Sequence, residues 1–193
     1  MKYRARFPRL AAIGLALALG SLAMAAELAN TSNKALIKTH VKLEKNYKQV
    51  SHITAQSLSG MDDDSYLVFD VREADEFAVS HLEGAIWIDP DMNPDAFYSA
   101  YGALASGKVI VLYCSVGVRS TRLAQRLLST QSGEDAAPIY NLENGIFGWH
   151  NESRPLSAQN GATDFVHPYN RLWGRMVNRK DLRRYETQAR PHE

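Results

Sequence analysis

The chain has 193 residues, 45% of them hydrophobic, which is enough for one full core and too few for two comfortable domains. Its 22 basic and 21 acidic residues exclude the strongly basic balance of a nucleic-acid binder, and its single cysteine excludes an internal disulfide framework. One domain with extensions is the organisation these numbers predict.

Residues 1–25 read as a signal peptide. Lys2, Arg4, Arg6 and Arg9 precede an apolar run from Leu10 to Leu22, and Ala23-Met24-Ala25 supplies small residues for cleavage after Ala25. The run is short against the roughly 20 apolar residues of a spanning helix, so no stable membrane insertion is expected after cleavage, and the location implied is periplasmic or secreted. Cleavage removes four basic residues and no acidic ones, leaving the mature chain with a small acidic excess.

Residues 26–51 form an extension in which Leu36, Ile37, Val41, Leu43 and Tyr47 recur at helical spacing, opposite Lys34, Lys38, Lys42, Lys45 and Lys48. An amphipathic helix is expected, with the lysines as its solvated face. A short strand signal at His52-Ile53-Thr54 leads into one helical turn that Gly60 breaks. Asp62, Asp63 and Asp64 make a polar turn and lack the wider ligand pattern of a metal site.

Tyr66 to Val71 is an apolar run bounded by turn residues, a candidate buried strand. Arg72 to Ser80 follows as a short helix with Ala74, Phe77 and Ala78 as its expected inner face. Ala85 to Ile88 gives a third strand, and Asp95 to Leu104 a helix through Phe97, Tyr98 and Tyr101. Val109 to Tyr113 is the strongest strand pattern. An amphipathic helix starts near Arg119, carries Leu123, Ala124, Leu127 and Leu128 on one stripe, and stops at Ser132 and Gly133. Pro138 to Leu142 is a final strand, and Gly145 and Gly148 mark a turn into a short helix. Strands alternating with helices predict an α/β domain around a mostly parallel sheet, with functional groups at the carboxyl ends of its strands.

Cys114 closes the strongest strand, and Ser115-Val116-Gly117-Val118-Arg119-Ser120 follows it directly. A thiol at a strand end, beside an arginine and a helix N-terminus, is placed for thiolate chemistry on an anionic substrate. Gly117 permits the loop to curve. Backbone N–H groups from Ser115 to Ser120 are expected to form an anion-binding nest. The side chains of Ser115, Val116 and Val118 set the polarity of the pocket. Arg119 offers a planar fork for sulfonate-type oxygens, or alternatively closes the loop through an ion pair. Asp70, at the end of a second strand, is expected to orient the loop or to pair with Arg72 or Arg119, and Arg72 reads as structural.

These segments resemble the rhodanese domain family. Asp70-Val71-Arg72-Glu73, Glu76-Phe77 and His81 with Gly84-Ala85 are similar to its opening signature, Cys114 to Ser120 to its active-site loop, and Asn141 to Gly145 with Trp149 to its closing segment. Ser80, Glu83 and Asn144 stand where the family often has Gly, Pro and Gly. The resemblance covers residues 52–156 and implies a three-layer α/β domain with its central sheet flanked by helices. It implies sulfur transfer through a persulfide on Cys114, from a small anionic donor such as thiosulfate to cyanide or a thiol, with no metal or organic cofactor. It makes His81 a turn residue rather than half of a Cys–His dyad. Phosphatases of the same fold place five residues between Cys and Arg. Here four intervene, and Tyr113 rather than His precedes Cys114. A binding module that has lost turnover, or a cysteine phosphatase or arsenate reductase, are the alternatives.

Residues 157–193 form a basic extension. Ser157 to Thr163 is linker-like, while Phe165 to Val177 offers Tyr169, Leu172, Trp173 and Met176 as a packing face. A terminal helix on the core is expected, with partner docking or a role at the site entrance as alternatives. No motif bears on the oligomeric state.

Overall fold

The computed structural model describes residues 34–131 and 136–186. The proposed signal peptide, the start of the N-terminal extension, and Ser132 and Gly133 lie outside them. Helix α1 (34–46) precedes β1 (Ser51–Ile53), α2 (Ala55–Ser59) and β2 (Tyr66–Asp70). Next come α3 (Ala74–Val79), β3 (Ile86–Trp87), α4 (Pro94–Tyr101), β4 (Val109–Tyr113) and α5 (Val118–Thr130). The chain continues through β5 (Ile139–Leu142), α6 (Gly145–Asn151), β6 (Leu156–Ala158) and β7 (Gly161–Thr163).

Five strands form one sheet in the order β1-β5-β4-β2-β3, and every pairing in it is parallel. The side chains of β4 alternate between two cores, as the two-residue period of a strand requires. Ile110, Leu112 and Cys114 pack with Phe69, Phe97, Leu123 and Leu127, under α4 and α5. Val111 and Tyr113 pack on the other face with Leu58, Phe147 and Leu142, under α2 and α6. Both faces are therefore covered, which is why β4 is apolar without alternation. Register places Asp70 of β2 opposite Tyr113 of β4, so the ends of these central strands lie side by side.

The extensions pack on this core rather than trailing from it. In α1 the buried strip is Leu36 and Leu43, with His40, and Tyr47 just past the helix end, partly buried; Ile37 and Val41, expected inside, are exposed. Seven residues separate Leu36 from Leu43, two turns of helix, so α1 meets the domain along one narrow line. The expected inner face of α3 is also rotated. Glu76 and Val79 are buried, while Ala74 and Ala78 are exposed and Phe77 is half-buried. The reason is electrostatic, since Glu76 turns inward to meet Arg119.

Ser157 to Thr163 is a hairpin, β6 with β7, and not a linker. Ser157 exchanges both backbone hydrogen bonds with His81, at 2.8 and 2.9 Å, which fastens the hairpin to the main domain. Phe165 to Val177 forms no α-helix. Pro168 cannot sit in a helix interior, and Asn170 Oδ1 instead accepts from the N–H groups of Leu172 and Trp173 at 2.9 Å each. A single 3-10 turn (Trp173–Met176) follows, and a second spans Lys180–Leu182. Val166 and Val177 are nevertheless fully buried in the core.

Burial favours the neutral form of His150, whose Nε2 lies 3.0 Å from the Asp164 carbonyl, and lowers its pKa. Burial also lowers the pKa values of His52 and His167. Each folded pKa is below that of the unfolded histidine, so the unfolded chain binds more protons as pH falls through about 6.5. The stability these groups contribute is present above that pH and is lost below it. Urea midpoints are expected to fall from pH 7.5 to pH 5.5, and less steeply in His150→Gln.

Candidate active site

The loop after β4 is held from both sides. Gly117 is the N-cap of α5 at φ 93°, and its N–H donates to Cys114 Sγ at 3.2 Å. A side chain there meets Asn141 Nδ2 at 3.1 Å and Leu43 Cδ1 at 3.4 Å, so α1 and β5 back the loop directly. From below, the first amides of α6 donate to the loop: Ile146 N–H to the Cys114 carbonyl at 2.9 Å and Phe147 N–H to the Ser115 carbonyl at 3.1 Å. The N–H groups that a helix leaves unpaired in its first turn thus fix the peptide that carries Cys114. Asn144 precedes them at φ 59°, a left-handed conformation that asparagine tolerates, which accounts for its place where glycine is frequent.

Gly145 has no such substitute. It also has positive φ, and a Cβ added to it lies 2.2 Å from the Cys114 carbonyl oxygen and 2.8 Å from Ser115 backbone atoms. Gly145→Ala is expected to cost on the order of 2–4 kcal/mol, combining left-handed strain with overpacking. Gly107 has φ 73° and nothing within 4 Å of its Cβ position. Thermal unfolding of Gly107→Ala therefore measures the strain alone, and the difference between the two variants isolates the clash.

Arg119 lies at the start of α5 with its charge already engaged. Its Nη2 reaches Glu76 Oε2 at 2.8 Å and Oε1 at 3.0 Å, and donates to Ser115 Oγ at 3.0 Å. Ser115 Oγ itself donates to Glu76 Oε1 at 2.8 Å, and Glu73 N–H donates to Glu76 Oε2 at 3.1 Å. Glu73 Oε1 stands 3.5 Å from Arg119 Nη1. Burial opposes the Arg119 charge, but the Cys114 sulfur and Glu76 outweigh it and raise the guanidinium pKa above its ordinary value. The ring of Tyr169 covers the guanidinium, 4.9 Å from its centre. The ion-pair alternative describes this geometry: Arg119 closes the loop onto α3, and Glu76 is the residue that receives it.

Cys114, Ser115, Val116, Val118 and Arg119 line one cavity of about 250 Å³, together with Arg122, Tyr169 and Trp173. Cys114 is a free thiol and almost fully buried at its base. Gly117 acts through its N–H from behind. Ser120 turns away, its hydroxyl donating to Asn141 Oδ1 at 2.6 Å, while Asn141 Nδ2 lies 3.1 Å from His52 Nδ1. A larger cavity of about 650 Å³ lies between α3 and the hairpin, beside Phe77, His81 and Arg184, and includes no residue of the cysteine loop.

Asp70 and Arg72 are both fully buried and belong to the framework under the loop. Arg72 Nε donates to Asp70 Oδ1 at 2.9 Å and its Nη2 to Oδ2 at 2.6 Å, while Nη2 also donates to the Ser80 carbonyl at 2.5 Å. Ser80 is in extended backbone, φ −170°, so nothing there demands the glycine frequent at that position. His81 stacks on Phe77 at 4.0 Å, with Nδ1 3.0 Å from the Phe77 carbonyl, and takes no part in the cysteine pocket. Trp149 donates its indole N–H to the Pro155 carbonyl at 2.8 Å and ties down the end of the domain. Among the described residues no group of three His, Cys, Asp or Glu side chains is arranged to hold a metal ion.

The residues that the sequence does not assign to the site are Glu76, Arg122, Tyr169 and Trp173, although a role for the tail at the site entrance is one of its alternatives. Glu76 had a local signal: with Glu73 it makes a reciprocal capping box, a pattern that fixes a carboxylate at a helix start. Tyr169 and Trp173 had none, because they reach the pocket through a fold-back of the tail.

This geometry agrees with comparisons to known proteins. The model of the rhodanese-like domain family matches residues 54–152, just over half the chain. Curated relatives that are 28% identical over 106 residues are tRNA uridine(34) hydroxylases of Buchnera aphidicola subsp. Acyrthosiphon pisum. The match takes in 53% of this chain and 32% of theirs, so the chain spans about a third of their length. Among solved structures, a thiosulfate sulfurtransferase from Pseudomonas aeruginosa shares the fold with a TM-score of 0.51 at 19% identity, over 62% of this chain and 22% of that one. A rhodanese-related protein from Thermoplasma volcanium is 25% identical with a TM-score of 0.45, over 56% of this chain and 99% of its own. A parallel sheet in this strand order, a cysteine loop at the end of its central strand and a family match over residues 54–152 lead to one assignment: the chain belongs to the rhodanese-like domain family.

Proposed function

We propose that the protein is an exported sulfurtransferase that carries sulfane sulfur on Cys114. The observation that supports this most is the position of the thiol, buried at the base of a small pocket with the Gly117 N–H 3.2 Å from its sulfur. In the first half-reaction the Cys114 thiolate attacks the outer sulfur of thiosulfate or a related donor. A new S–S bond forms, the donor's own S–S bond breaks, and sulfite leaves with the electron pair. The persulfide then sits where water has little access. In the second half-reaction cyanide or a thiolate attacks the outer sulfur, giving thiocyanate or a new persulfide and returning the Cys114 thiolate.

The loop supports sulfur over phosphate, because four residues between Cys114 and Arg119 make a tight cradle around one added atom. The donor's negative charge is met by the first-turn N–H groups of α5, which has no side chain capping it. Since the chain holds no second cysteine, the acceptor has to come from another molecule. Intact mass spectrometry of the exported chain tests both halves of the reading. The mature mass is expected to start at Ala26 and, after thiosulfate treatment, to gain one sulfur atom that cyanide removes. A mass that never changes with donor overturns the reading.

A further inference from the structure

The walls of the Cys114 pocket come from two sources. The loop supplies Val116 and Val118. The segment beyond the family match supplies Tyr169 and Trp173, whose rings meet edge to face with centroids 6.4 Å apart. That segment is anchored rather than loosely laid over the site. Asn151, at the end of α6, donates to the Met176 carbonyl at 2.8 Å and accepts from Asn178 N–H at 2.8 Å. Val166 N–H donates to the Leu182 carbonyl at 3.0 Å, and Arg184 N–H to the Val166 carbonyl at 3.1 Å. Gly174 lies so close to Pro168 that an added Cβ would be 2.9 Å from the proline Cβ.

Tyr169 itself is held at φ 61°, a left-handed conformation unusual for a bulky residue. Its N–H donates to His167 Nδ1 at 3.1 Å, and that histidine is buried. The strain is concentrated at the one residue of the tail whose ring covers Arg119, as expected where a functional position is imposed by its surroundings.

The charges around this pocket are uneven. Arg119 is matched by Glu76 at 2.8 Å and faces a second carboxylate, Glu73, at 3.5 Å. Arg122, one turn further along α5, is exposed at the same pocket and has no hydrogen-bond or ion-pair partner among the described residues. The pocket therefore presents one uncommitted cation, two aromatic rings and two valines. A compact dianion such as thiosulfate brings a second negative charge toward Glu76, Glu73 and the thiolate and leaves the rings uncovered. A singly charged donor with an apolar body fits both features.

We propose that Arg122, Tyr169 and Trp173 select an organic thiosulfonate, R–SO₂–S⁻, over inorganic thiosulfate as the sulfur donor. The inference rests on the sulfurtransferase reading above and narrows its substrate. The step is balanced: the Cys114 thiolate attacks the outer sulfur, the S–S bond of the donor breaks, and a sulfinate, R–SO₂⁻, leaves with the electron pair. No oxidant or proton is consumed. The sulfonyl oxygens face Arg122, and the R group lies on Tyr169 and Trp173.

The test compares kcat/KM for benzenethiosulfonate and thiosulfate, with cyanide as acceptor, in the full mature chain. The wild type is expected to favour benzenethiosulfonate by about tenfold, the scale of one aromatic contact set together with one matched charge. Tyr169→Asn keeps a residue that tolerates positive φ, so it removes the ring without adding strain, and it is expected to cut the preference several-fold. Arg122→Gln, at an exposed position, is expected to raise KM for benzenethiosulfonate about fivefold. Equal use of both donors by the wild type, or a proportional loss for both in Tyr169→Asn, overturns the proposed selection while sulfur transfer stands. Failure of both donors to load Cys114 overturns the selection and the activity together.

Discussion

Cys114→Ser is expected to lower thiosulfate:cyanide turnover by on the order of a thousandfold or more while leaving the fold intact, because in the proposed reaction it removes the atom that carries sulfur between the half-reactions. A hydroxyl is close to isosteric with the thiol, and its oxygen can still accept from Gly117 N–H, which now meets Sγ at 3.2 Å. The carbonyl of residue 114, pinned by Ile146 at 2.9 Å, is unaffected by the exchange. Unfolding free energy should therefore stay within about 1 kcal/mol of wild type, the cost of a conservative core swap with a satisfied hydroxyl. What distinguishes this variant from a merely loosened one is the mass after donor treatment. The serine chain should gain no sulfur at any donor concentration, whereas a loosened site would still load at high donor. Turnover near the wild-type rate with no covalent sulfur would mean direct transfer between bound donor and acceptor and would exclude the persulfide route.

The sheet and the cysteine loop were legible in the sequence because both are local. Five short apolar runs separated by helical patterns lead to a parallel sheet, and β4, buried on both faces, is a continuous Val-Ile-Val-Leu-Tyr run. The loop is contiguous in the chain, so its residues needed no long-range information to be found. Glu76 was missed because α3 has only six residues, too few for a hydrophobic period to fix which face turns inward. Ion pairing with Arg119, 43 residues away, decides the rotation instead.

The tail was misread for a related reason. Tyr169, Leu172, Trp173 and Met176 have helical spacing, yet Leu172 is two-thirds exposed while Trp173 reaches the Cys114 pocket. Its shape depends on contacts with Leu182, Asn151 and the loop itself, and no window of sequence contains these together. Ile37 and Val41 on α1 show the same limit, since an apolar spacing does not say which residues find a surface to cover.

The framework under the site makes the second large expectation. Asp70→Ala is expected to destabilise the protein by about 3–5 kcal/mol, the usual penalty for stranding one partner of a buried ion pair. The Asp70 carboxylate accepts from Arg72 N–H at 3.0 Å, from Nε at 2.9 Å and from Nη2 at 2.6 Å, and both side chains are wholly buried. Burial alone would lower the Arg72 pKa, but Asp70 more than compensates and raises it, so the guanidinium stays charged and cannot escape the loss by releasing its proton. Removing both charges is a different matter. In Asp70→Ala combined with Arg72→Met, an apolar chain fills the guanidinium's place beside the Tyr113 ring, and most of the lost stability should return. Turnover should not return with it. The Arg72 side chain also fixes the Ser80 carbonyl at 2.5 Å, a bond that methionine cannot make, so the pair ties the start of α3 to its end. Without that tie Glu76 has no fixed route to Arg119. Urea unfolding together with steady-state kinetics on the single and double variants separates the two effects. Recovery of both stability and activity in the double variant would show that Asp70 and Arg72 only fill space, while recovery of stability alone identifies them as the residues that position the loop's ion pair.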